Sequence, residues 1–316
     1  MKKYVIIATK GRAVETATLF DFLFEQDARP DAVYVVGAET ADLPDVVGHP
    51  LHAHANVKLM LAKGPGLTVQ RNAGVAELLR DLERDRVDEP WFAAFFDDDF
   101  RPHRGWLQQC DALFTEQPGV IGMTGQILAD GVRGTGVSEA DALRYLSGAL
   151  APQEHWASGA ERRPLNSAYG CNMAFEERVI RNCRFDEALP LYGWQEDQDY
   201  TSQALALGEF VYEPACRGVH LGVKNGRISG VRFGYSQIAN PIFLVKKNTM
   251  ARKKAYVFIT RHLLSNVYHS LQRDPIFDYR GRLKGNVLAF IDYLRGSSHP
   301  QRILDIGLAS RGARRP

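Results

Sequence analysis

Residues 91–99 of the chain read WFAAFFDDD, six apolar residues followed at once by three aspartates. An apolar run of this length is typical of a strand buried inside a sheet. Three carboxylates at the end of such a strand repel one another unless a cation lies among them. Asp97 and Asp99 can point to the same side of an extended segment, and their oxygens suit a hard divalent ion. The alternative is that Asp99 caps a helix near residues 104–114.

Strand and helix patterns alternate on both sides of this stretch. Such alternation predicts an α/β fold with a mainly parallel sheet covered on both faces. Ligands in these sheets bind beyond the carboxyl ends of the strands, so the loop at 9–12 and the aspartates should lie near one crevice. Strands are predicted over 4–8, 32–36, 57–62, 91–96 and 121–128, and helices over 16–26, 69–86 and 200–207.

The end of the chain differs from its beginning in both pattern and charge. Residues 221–316 contain 18 Lys and Arg against 4 Asp and Glu, whereas residues 1–220 contain 21 against 33. Helical spacing recurs over 256–271 and 282–294, with no strand alternation. We therefore expect two domains, an α/β domain over 1–225 and a helical, basic subdomain over 226–316. The basic part fits either a partner of negative charge or a solvated face. Residues 129–168 show no firm period and are interpreted as a mobile or variable insertion.

The composition excludes several classes of protein. With 316 residues, 45% hydrophobic and 24% charged, the chain is neither collagen, a disordered tail nor a disulfide scaffold. No apolar run reaches the roughly 20 residues that span a bilayer, and the first apolar stretch is too short for a signal peptide. We expect a cytoplasmic protein. The four cysteines form no CxxC pair, which favours buried free thiols.

A second acidic group lies in residues 193–200, which read GWQEDQDY. Glu196, Asp197 and Asp199 precede a helical run, where acidic residues are stabilised by the helix dipole. The functional interpretation is that one of these carboxylates is a general base. His220 stands between apolar residues. It is a structural histidine unless the fold brings it to the aspartates, where it would complete a metal site.

Five short motifs follow one another over about residues 4–222. They are TKGR at 9–12, QRNAG at 70–74, DDD at 97–99, GCNMAF at 170–175 and WQEDQD at 194–199. In this order they resemble the family 2 glycosyltransferases, inverting enzymes that use nucleotide sugars and have the Rossmann-like GT-A fold. The segment 285–303 is similar to the tails of bacterial members that assemble polysaccharide or lipopolysaccharide. The resemblance implies a GT-A catalytic domain over 1–225.

The resemblance also implies the roles of individual residues. Asp197 would be the general base. Asp99 and His220 would ligate Mn²⁺ or Mg²⁺, since galactofuranosyltransferases of this family have a metal-binding histidine at a similar spacing after their general base. Glu39 would replace the acidic residue that many members have after the second strand. Asn172, Trp194 and Glu196 would line the sugar and acceptor pocket. The residues expected to bind the donor are Thr9, Gly11, Arg12, Glu39, Arg71, Asn72, Asp97 and Asp98.

The activity implied is that of a hexosyltransferase-type enzyme. A sugar would move from a nucleoside diphosphate donor, expected to be a UDP-sugar, to a hydroxyl of a glycan or lipid-linked glycan by one direct displacement. Two alternatives remain open, a nucleotidyltransferase that makes nucleotide sugars and a non-catalytic protein that binds them. The loop at 9–12 is shorter than a nucleotidyltransferase would need. The acidic first part of the chain disfavours nucleic acid as a partner.

The basic subdomain has three interpretations. Basic residues beside the apolar face of 256–271 would dock to anionic lipid at the inner face of the membrane. The subdomain would otherwise cap the catalytic domain or form the interface of a homo-oligomer. The basic residues concerned are Lys246, Lys247, Arg252, Lys253 and Lys254.

Overall fold

The structure is a computed structural model that describes residues 1–225, 229–272, 274 and 276–307. The described strands are β1 (Lys2–Thr9), β2 (Ala32–Gly37), β3 (Asn56–Leu61), β4 (Trp91–Asp97), β5 (Phe100–Pro102), β6 (Val120–Asp130), β7 (Arg163–Pro164), β8 (Asn172–Glu176) and β9 (Glu209–His220). The described helices are α1 (Ala13–Phe24), α2 (Leu67–Arg84), α3 (Trp106–Glu116), α4 (Glu139–Leu146), α5 (Glu177–Asn182), α6 (Glu196–Ala204), α7 (Gly230–Lys246), α8 (Arg252–Gln272) and α9 (Tyr279–Leu294).

The described strands form one sheet in the order β3-β2-β1-β4-β8-β6-β9-β5, and β7 pairs with β9. Strands β1 to β4 are parallel to one another, and β6 is parallel to β9. Strand β8 runs antiparallel to both of its neighbours, β4 and β6. The predicted α/β fold is confirmed, and each of the five predicted strands is present. The short strands β5, β7 and β8 and the long strand β9 were not predicted.

Strand β1 shows how the sheet is covered on both faces. Its alternate residues Val5 and Ile7 belong to one buried apolar cluster with α1 and α3. Tyr4 and Ile6, which alternate with Val5 and Ile7 along the strand, belong to a second buried apolar cluster with α2 and α5. Because successive side chains of a strand point to opposite faces, a continuous apolar strand needs a cover on each side.

Helix α2 lies unusually close to the sheet at Gly74. A Cβ atom at this position would approach Cγ2 of Ile6 to 2.7 Å, so a larger side chain would push the helix off the strand. The QRNAG motif lies near the start of the same helix, after Leu67, Thr68 and Val69. The Gln70 side chain donates hydrogen bonds to the carbonyls of Thr9 and Val36, at 2.7 Å each. The close packing thus fixes the start of α2 against the carboxyl ends of β1 and β2.

Residues 129–168 are more regular than the sequence predicts. Helix α4 lies in this segment, with Ser138 accepting a hydrogen bond at its start. The segment is also tied to β6, because Gln153 N donates to Leu128 O and Ile127 N donates to Ala157 O. The helix has only eight residues and one fully buried side chain, so it leaves little hydrophobic period in the sequence.

The chain folds into two compact units. The first comprises Met1–Phe185 and Tyr200–Gly226, and the second comprises Asp186–Asp199 and the residues from Arg227 onward. The sequence predicts a boundary after residue 225 but does not separate the segment 186–199 from the α/β part. The four cysteines lie in the first unit and are buried and free.

The second unit contains helices α7, α8 and α9. The two helices predicted over 256–271 and 282–294 are confirmed, whereas α7 was missed because Gly230, Gly234 and Pro241 interrupt its pattern. Its interior holds polar side chains as well as apolar ones. The fully buried Asn266 amide of α8 donates to Gln237 of α7 and to Asn286 of α9, at 2.7 and 2.8 Å. None of the described helices is long and apolar enough to cross a membrane.

Candidate active site

The loop after β1 is held by an aspartate that the sequence analysis did not select. Gly11 has a φ of +67° and donates its N–H to Oδ1 of Asp42 at 2.7 Å. The other oxygen, Oδ2, accepts the N–H groups of Ala38 and Glu39 at 2.9 Å each. Asp42 is only 2% exposed, while Glu39 is exposed to solvent. Asp42 therefore joins the ends of β1 and β2, and the signal for it was the capping-box spacing from Glu39.

Arg12 connects this loop to the aspartates that follow β4. Its Nη1 lies 2.8 Å from Asp98 Oδ1 and 3.3 Å from Asp99 Oδ2. It also donates to the carbonyls of Val223 and Asn225, at 2.8 and 3.0 Å. The guanidinium is thus bound to carboxylates and backbone in this structure.

Arg71 and Asn72, from the QRNAG motif, are held by residues beyond α2. Arg71 is 1% exposed, and its Nη2 contacts Asp97 Oδ1 at 3.0 Å and Gly170 O at 2.7 Å. A buried guanidinium needs such a partner to offset its desolvation. The Asn72 amide both donates to the Phe185 carbonyl and accepts the Phe185 N–H, at 2.9 and 3.1 Å. These contacts hold α2 against the end of β4, the segment before β8 and the segment after α5.

The fold brings Asp97, Asp99 and His220 together. One ligand atom from each lies within 4.8 Å of the other two. His220 is the last residue of β9 and pairs with Phe100 of β5, the residue next to Asp99. His220 Nε2 lies 3.3 Å from Asp99 Oδ1 and 4.0 Å from Asp97 Oδ2. The fold thus meets the condition under which the sequence assigns His220 to a metal site.

These three residues fit a divalent ion. Asp99 Oδ1 is buried and has no hydrogen-bond partner among the described residues, although Asp99 Oδ2 accepts the Val223 N–H at 2.8 Å. A buried carboxylate oxygen without a donor is costly unless a cation neutralises it. Two carboxylates and one imidazole are ligands that Mn²⁺ accepts readily, and Mg²⁺ favours the carboxylates. The cluster can therefore hold either of the metals that the sequence predicts.

The neighbouring aspartates differ in their acidity. Burial raises the pKa of Asp98 to about 7, against the opposing charge of Arg12. Burial also acts on Asp99, but the neighbouring His220 and Arg12 outweigh it and hold the pKa of Asp99 below its ordinary value. Asp99 therefore remains a carboxylate at neutral pH, which is the form that a metal ion requires.

The second acidic segment, residues 193–200, leads into helix α6, which begins at Glu196. Its residues up to Asp199 belong to the second unit. Gln195, just before the helix, has a φ of +74°, a left-handed conformation that is uncommon for a residue with a side chain. Asp199 is fully buried and its Oδ2 lies 2.8 Å from Lys247 Nζ. Asp197 is partly exposed, and its Oδ1 accepts the N–H of Gln198 at 2.7 Å. Of these two aspartates, Asp197 has the access that a base needs.

The residues predicted for the sugar and acceptor pocket occupy three different environments. Asn172 is fully buried in the first unit and accepts the indole N–H of Trp106 at 2.8 Å, so it supports the core rather than lining a pocket. Glu196 is 4% exposed. Trp194 is half-buried in the second unit, where its ring lies 5.1 Å from that of His262. Within the second unit, the predicted site residues are Trp194, Glu196 and Asp197; the others belong to the first.

No family model and no curated protein match the chain by sequence. Among solved structures, the chain is similar to residues 1–349 of S. aureus TarS, with a TM-score of 0.55 and 15% identity over 96% of this chain and 82% of that one. The same part of TarS in complex with UDP-GlcNAc gives a TM-score of 0.52 at 15% identity, over 96% and 83% of the two chains.

A second similar structure is the mannosyltransferase PcManGT from Pyrobaculum calidifontis, in complex with GDP-Man and Mn²⁺. The TM-score is 0.52 and the identity 15%, over 100% of this chain and 81% of that one. The architecture is therefore the GT-A fold of the nucleotide-sugar glycosyltransferases, as the motifs predict.

Proposed function

We propose that the protein is a metal-dependent, inverting glycosyltransferase that moves a sugar from a nucleoside diphosphate to a hydroxyl of a glycan or lipid-linked glycan. The observation that carries the proposal is the cluster of Asp97, Asp99 and His220 at the carboxyl ends of strands in a GT-A fold. TarS has been crystallised with UDP-GlcNAc, and PcManGT with GDP-Man and Mn²⁺. We expect the same class of donor here, with UDP the first nucleotide to test.

The donor site would be formed at the carboxyl ends of β1, β2 and β4. Ala8 of β1 lies in register with Asp97 of β4, so the loop at Thr9 and Gly11 is close to the metal cluster. We assign Arg12, Glu39, Arg71, Asn72, Asp97 and Asp98 to the same donor site, with Asp42 holding the loop in shape. A divalent ion bound by Asp99 and His220 would neutralise the charge of the leaving nucleoside diphosphate.

Asp197 would act as the general base. In the transfer, the acceptor oxygen attacks the anomeric carbon from the face opposite the nucleoside diphosphate, the bond to that leaving group breaks, and Asp197 takes the hydroxyl proton. One displacement inverts the configuration and needs no covalent intermediate. The start of α6 favours a carboxylate there, and the charge of Asp197 also acts on the half-buried Lys254. Trp194 and Glu196 precede the base and are assigned to the acceptor pocket.

Calorimetry with UDP, GDP and dTDP, each with and without Mn²⁺, tests the donor site. We expect tight binding of one nucleotide that depends on Mn²⁺, and slow release of that nucleotide from its sugar conjugates. A nucleotidyltransferase would instead consume a nucleoside triphosphate and a sugar phosphate, and a non-catalytic protein would bind without release. If the folded protein binds none of the three nucleotides, the proposal is wrong.

We also propose that the second unit contacts anionic lipid, which would place a lipid-linked acceptor within reach at the inner face of the membrane. Helix α8 exposes a row of apolar side chains, among them Leu264 at 66% and Leu271 at 79%. Its 21 residues include no Asp or Glu, and Arg252, Lys253 and Arg261 are exposed. Each basic residue near an anionic surface contributes about 1 kcal/mol. Two copies would bring these like charges together, which disfavours a homo-oligomer interface here.

Flotation with vesicles tests this contact. We expect the protein to float with vesicles of phosphatidylcholine and phosphatidylglycerol but not with phosphatidylcholine alone, and the double variant Leu264→Glu, Leu271→Glu to stay unbound. Val47→Glu, at a side chain that is 94% exposed in the first unit, is the matched control. Absence of flotation in the unchanged protein would contradict the contact. Sedimentation of a dimer that the double variant dissociates would favour the oligomer interface instead.

A further inference from the structure

Asp130 contacts His220 on the side of the ring that faces away from Asp97 and Asp99. It is the last residue of β6 and lies in parallel register with His220 of β9. Its Oδ1 is 3.1 Å from Nδ1 of His220, the ring nitrogen that faces away from the aspartates. The hydroxyl of Tyr169 donates to Asp130 Oδ2 at 2.8 Å, and His155 Nε2 lies 3.4 Å from the same oxygen. The carboxylate therefore has polar neighbours from three separate segments.

The hydrogen bonds around Asp130 define where the protons lie on both histidines. His155 Nδ1 accepts the N–H of Ala157 at 3.0 Å, so the proton of a neutral His155 is on Nε2, facing Asp130. The ionised Asp130 carboxylate can only accept, so a proton on Nδ1 of His220 faces it as well. Nε2 of His220 faces Asp97 and Asp99, and on binding a metal ion it would release any proton while Nδ1 keeps the proton that faces Asp130.

The other side of the ring faces the metal cluster. His220 Nε2 lies 3.3 Å from Asp99 Oδ1, a buried oxygen that makes no hydrogen bond within the described residues. A cation between these two atoms would be bound by both of them.

We infer that Asp130 is a positioning residue, which fixes the tautomer and ring orientation of His220 so that Nε2 is presented as a metal ligand. Tyr169 and His155 hold the carboxylate in place in turn. This inference rests on the metal site of the proposed function. Carboxylates that accept the second ring proton of a metal-bound histidine set its orientation and basicity, and their loss typically weakens metal binding by about 10- to 100-fold.

The inference gives a role to the segment that the sequence analysis interpreted as a variable insertion. His155 lies two residues before Ala157, whose carbonyl accepts a hydrogen bond from the Ile127 N–H of β6. The Tyr169 ring packs against the ring of His155 with centroids 5.1 Å apart and against that of His220 at 5.8 Å. The segment thus supports the histidine from the side opposite the aspartates.

The variant Asp130→Ala tests the inference, with Asp130→Asn as the conservative comparison. Asp130 Oδ1 accepts the Val132 N–H at 3.0 Å and faces His220 Nδ1 at 3.1 Å, so an amide oxygen at this place would keep both contacts and only the charge would be lost. We expect Mn²⁺ affinity, measured by the electron paramagnetic resonance of free Mn²⁺, to fall about 10- to 100-fold in Asp130→Ala and by less in Asp130→Asn. Tyr169→Phe, which removes one hydrogen bond to Asp130, should cause a smaller loss. Asp141→Asn on α4 is the control for a lost surface charge, because the side chain of Asp141 is 47% exposed.

A second measurement does not depend on metal. The ¹⁵N and ¹H shifts of the His220 imidazole should report a proton on Nδ1 that is hydrogen-bonded to a carboxylate in the unchanged, metal-free protein, and this signature should be lost in Asp130→Ala. Unchanged Mn²⁺ affinity in folded Asp130→Ala would overturn the inference and leave the proposed function standing. If the unchanged protein binds no Mn²⁺, with or without nucleotide, the metal site fails and the inference with it.

Discussion

Asp197→Asn is expected to lower the rate of sugar transfer by about 10²- to 10⁴-fold, the range that a positioned general base contributes. The amide cannot take the proton of the acceptor hydroxyl. It retains an oxygen that can accept the Gln198 N–H, the contact that Asp197 Oδ1 makes at 2.7 Å, so the start of α6 is expected to survive. Because the change removes only proton transfer, donor binding should be unaffected.

The measurement is kcat and KM for transfer together with the calorimetric affinity for the nucleotide. A fall confined to kcat would identify proton transfer, whereas weaker donor binding would indicate a structural effect. Asp305→Asn is the matched control, since that side chain is 68% exposed in the second unit. Transfer at an unchanged rate in Asp197→Asn would show that another group is the base.

Asp99→Asn is expected to abolish Mn²⁺-dependent nucleotide binding and transfer together. Asp99 is 1% exposed and faces both His220 and Arg12, so the change removes a buried negative charge between two nitrogen-bearing side chains. Loss of a direct ligand should weaken the metal site by more than about 100-fold, the upper range for loss of a supporting residue. Arg12 keeps its contact with Asp98, which limits the loss of stability.

Calorimetric titration with Mn²⁺ and a thermal melt separate these effects. Metal binding should disappear while the protein melts as a folded domain, and Asp141→Asn should behave as the unchanged protein in both measurements. Mn²⁺-dependent activity that persists in Asp99→Asn would remove Asp99 from the metal site. Nucleotide binding that needs no metal, in the unchanged protein, would contradict the proposed role of the whole cluster.

Buried strands, and the site residues that directly follow them in the chain, could be predicted from the sequence. The strand at 91–96 and the aspartates after it are adjacent in the chain, so a local pattern contains the information. His220 was selected because a family motif indicated its spacing, and the sheet then places it beside Asp99. Local periodicity and motif order are sufficient for features of this kind.

The supporting residues were not predictable in the same way. Asp130 acts on His220 from 90 positions away, and no periodic pattern connects the two. The sequence favours Glu39 over Asp42 because it shows which residues follow a strand. It does not show which side chain turns inward to reach Gly11. Partners that meet only through sheet order and loop shape need the tertiary structure.

The discontinuous second unit has a consequence for how this protein can be divided. Lys247 of α7 is paired with Asp186 and Asp199, which belong to the same unit but lie about 50 to 60 residues earlier. If the chain were cut at the apparent boundary near residue 226, the C-terminal fragment would contain Lys247 without these two acidic partners. The N-terminal fragment would contain Asp197 without the rest of the unit to which it belongs. An exchange of C-terminal halves between relatives would separate the same residues. Grafting this unit onto another protein would therefore require two joined pieces of chain.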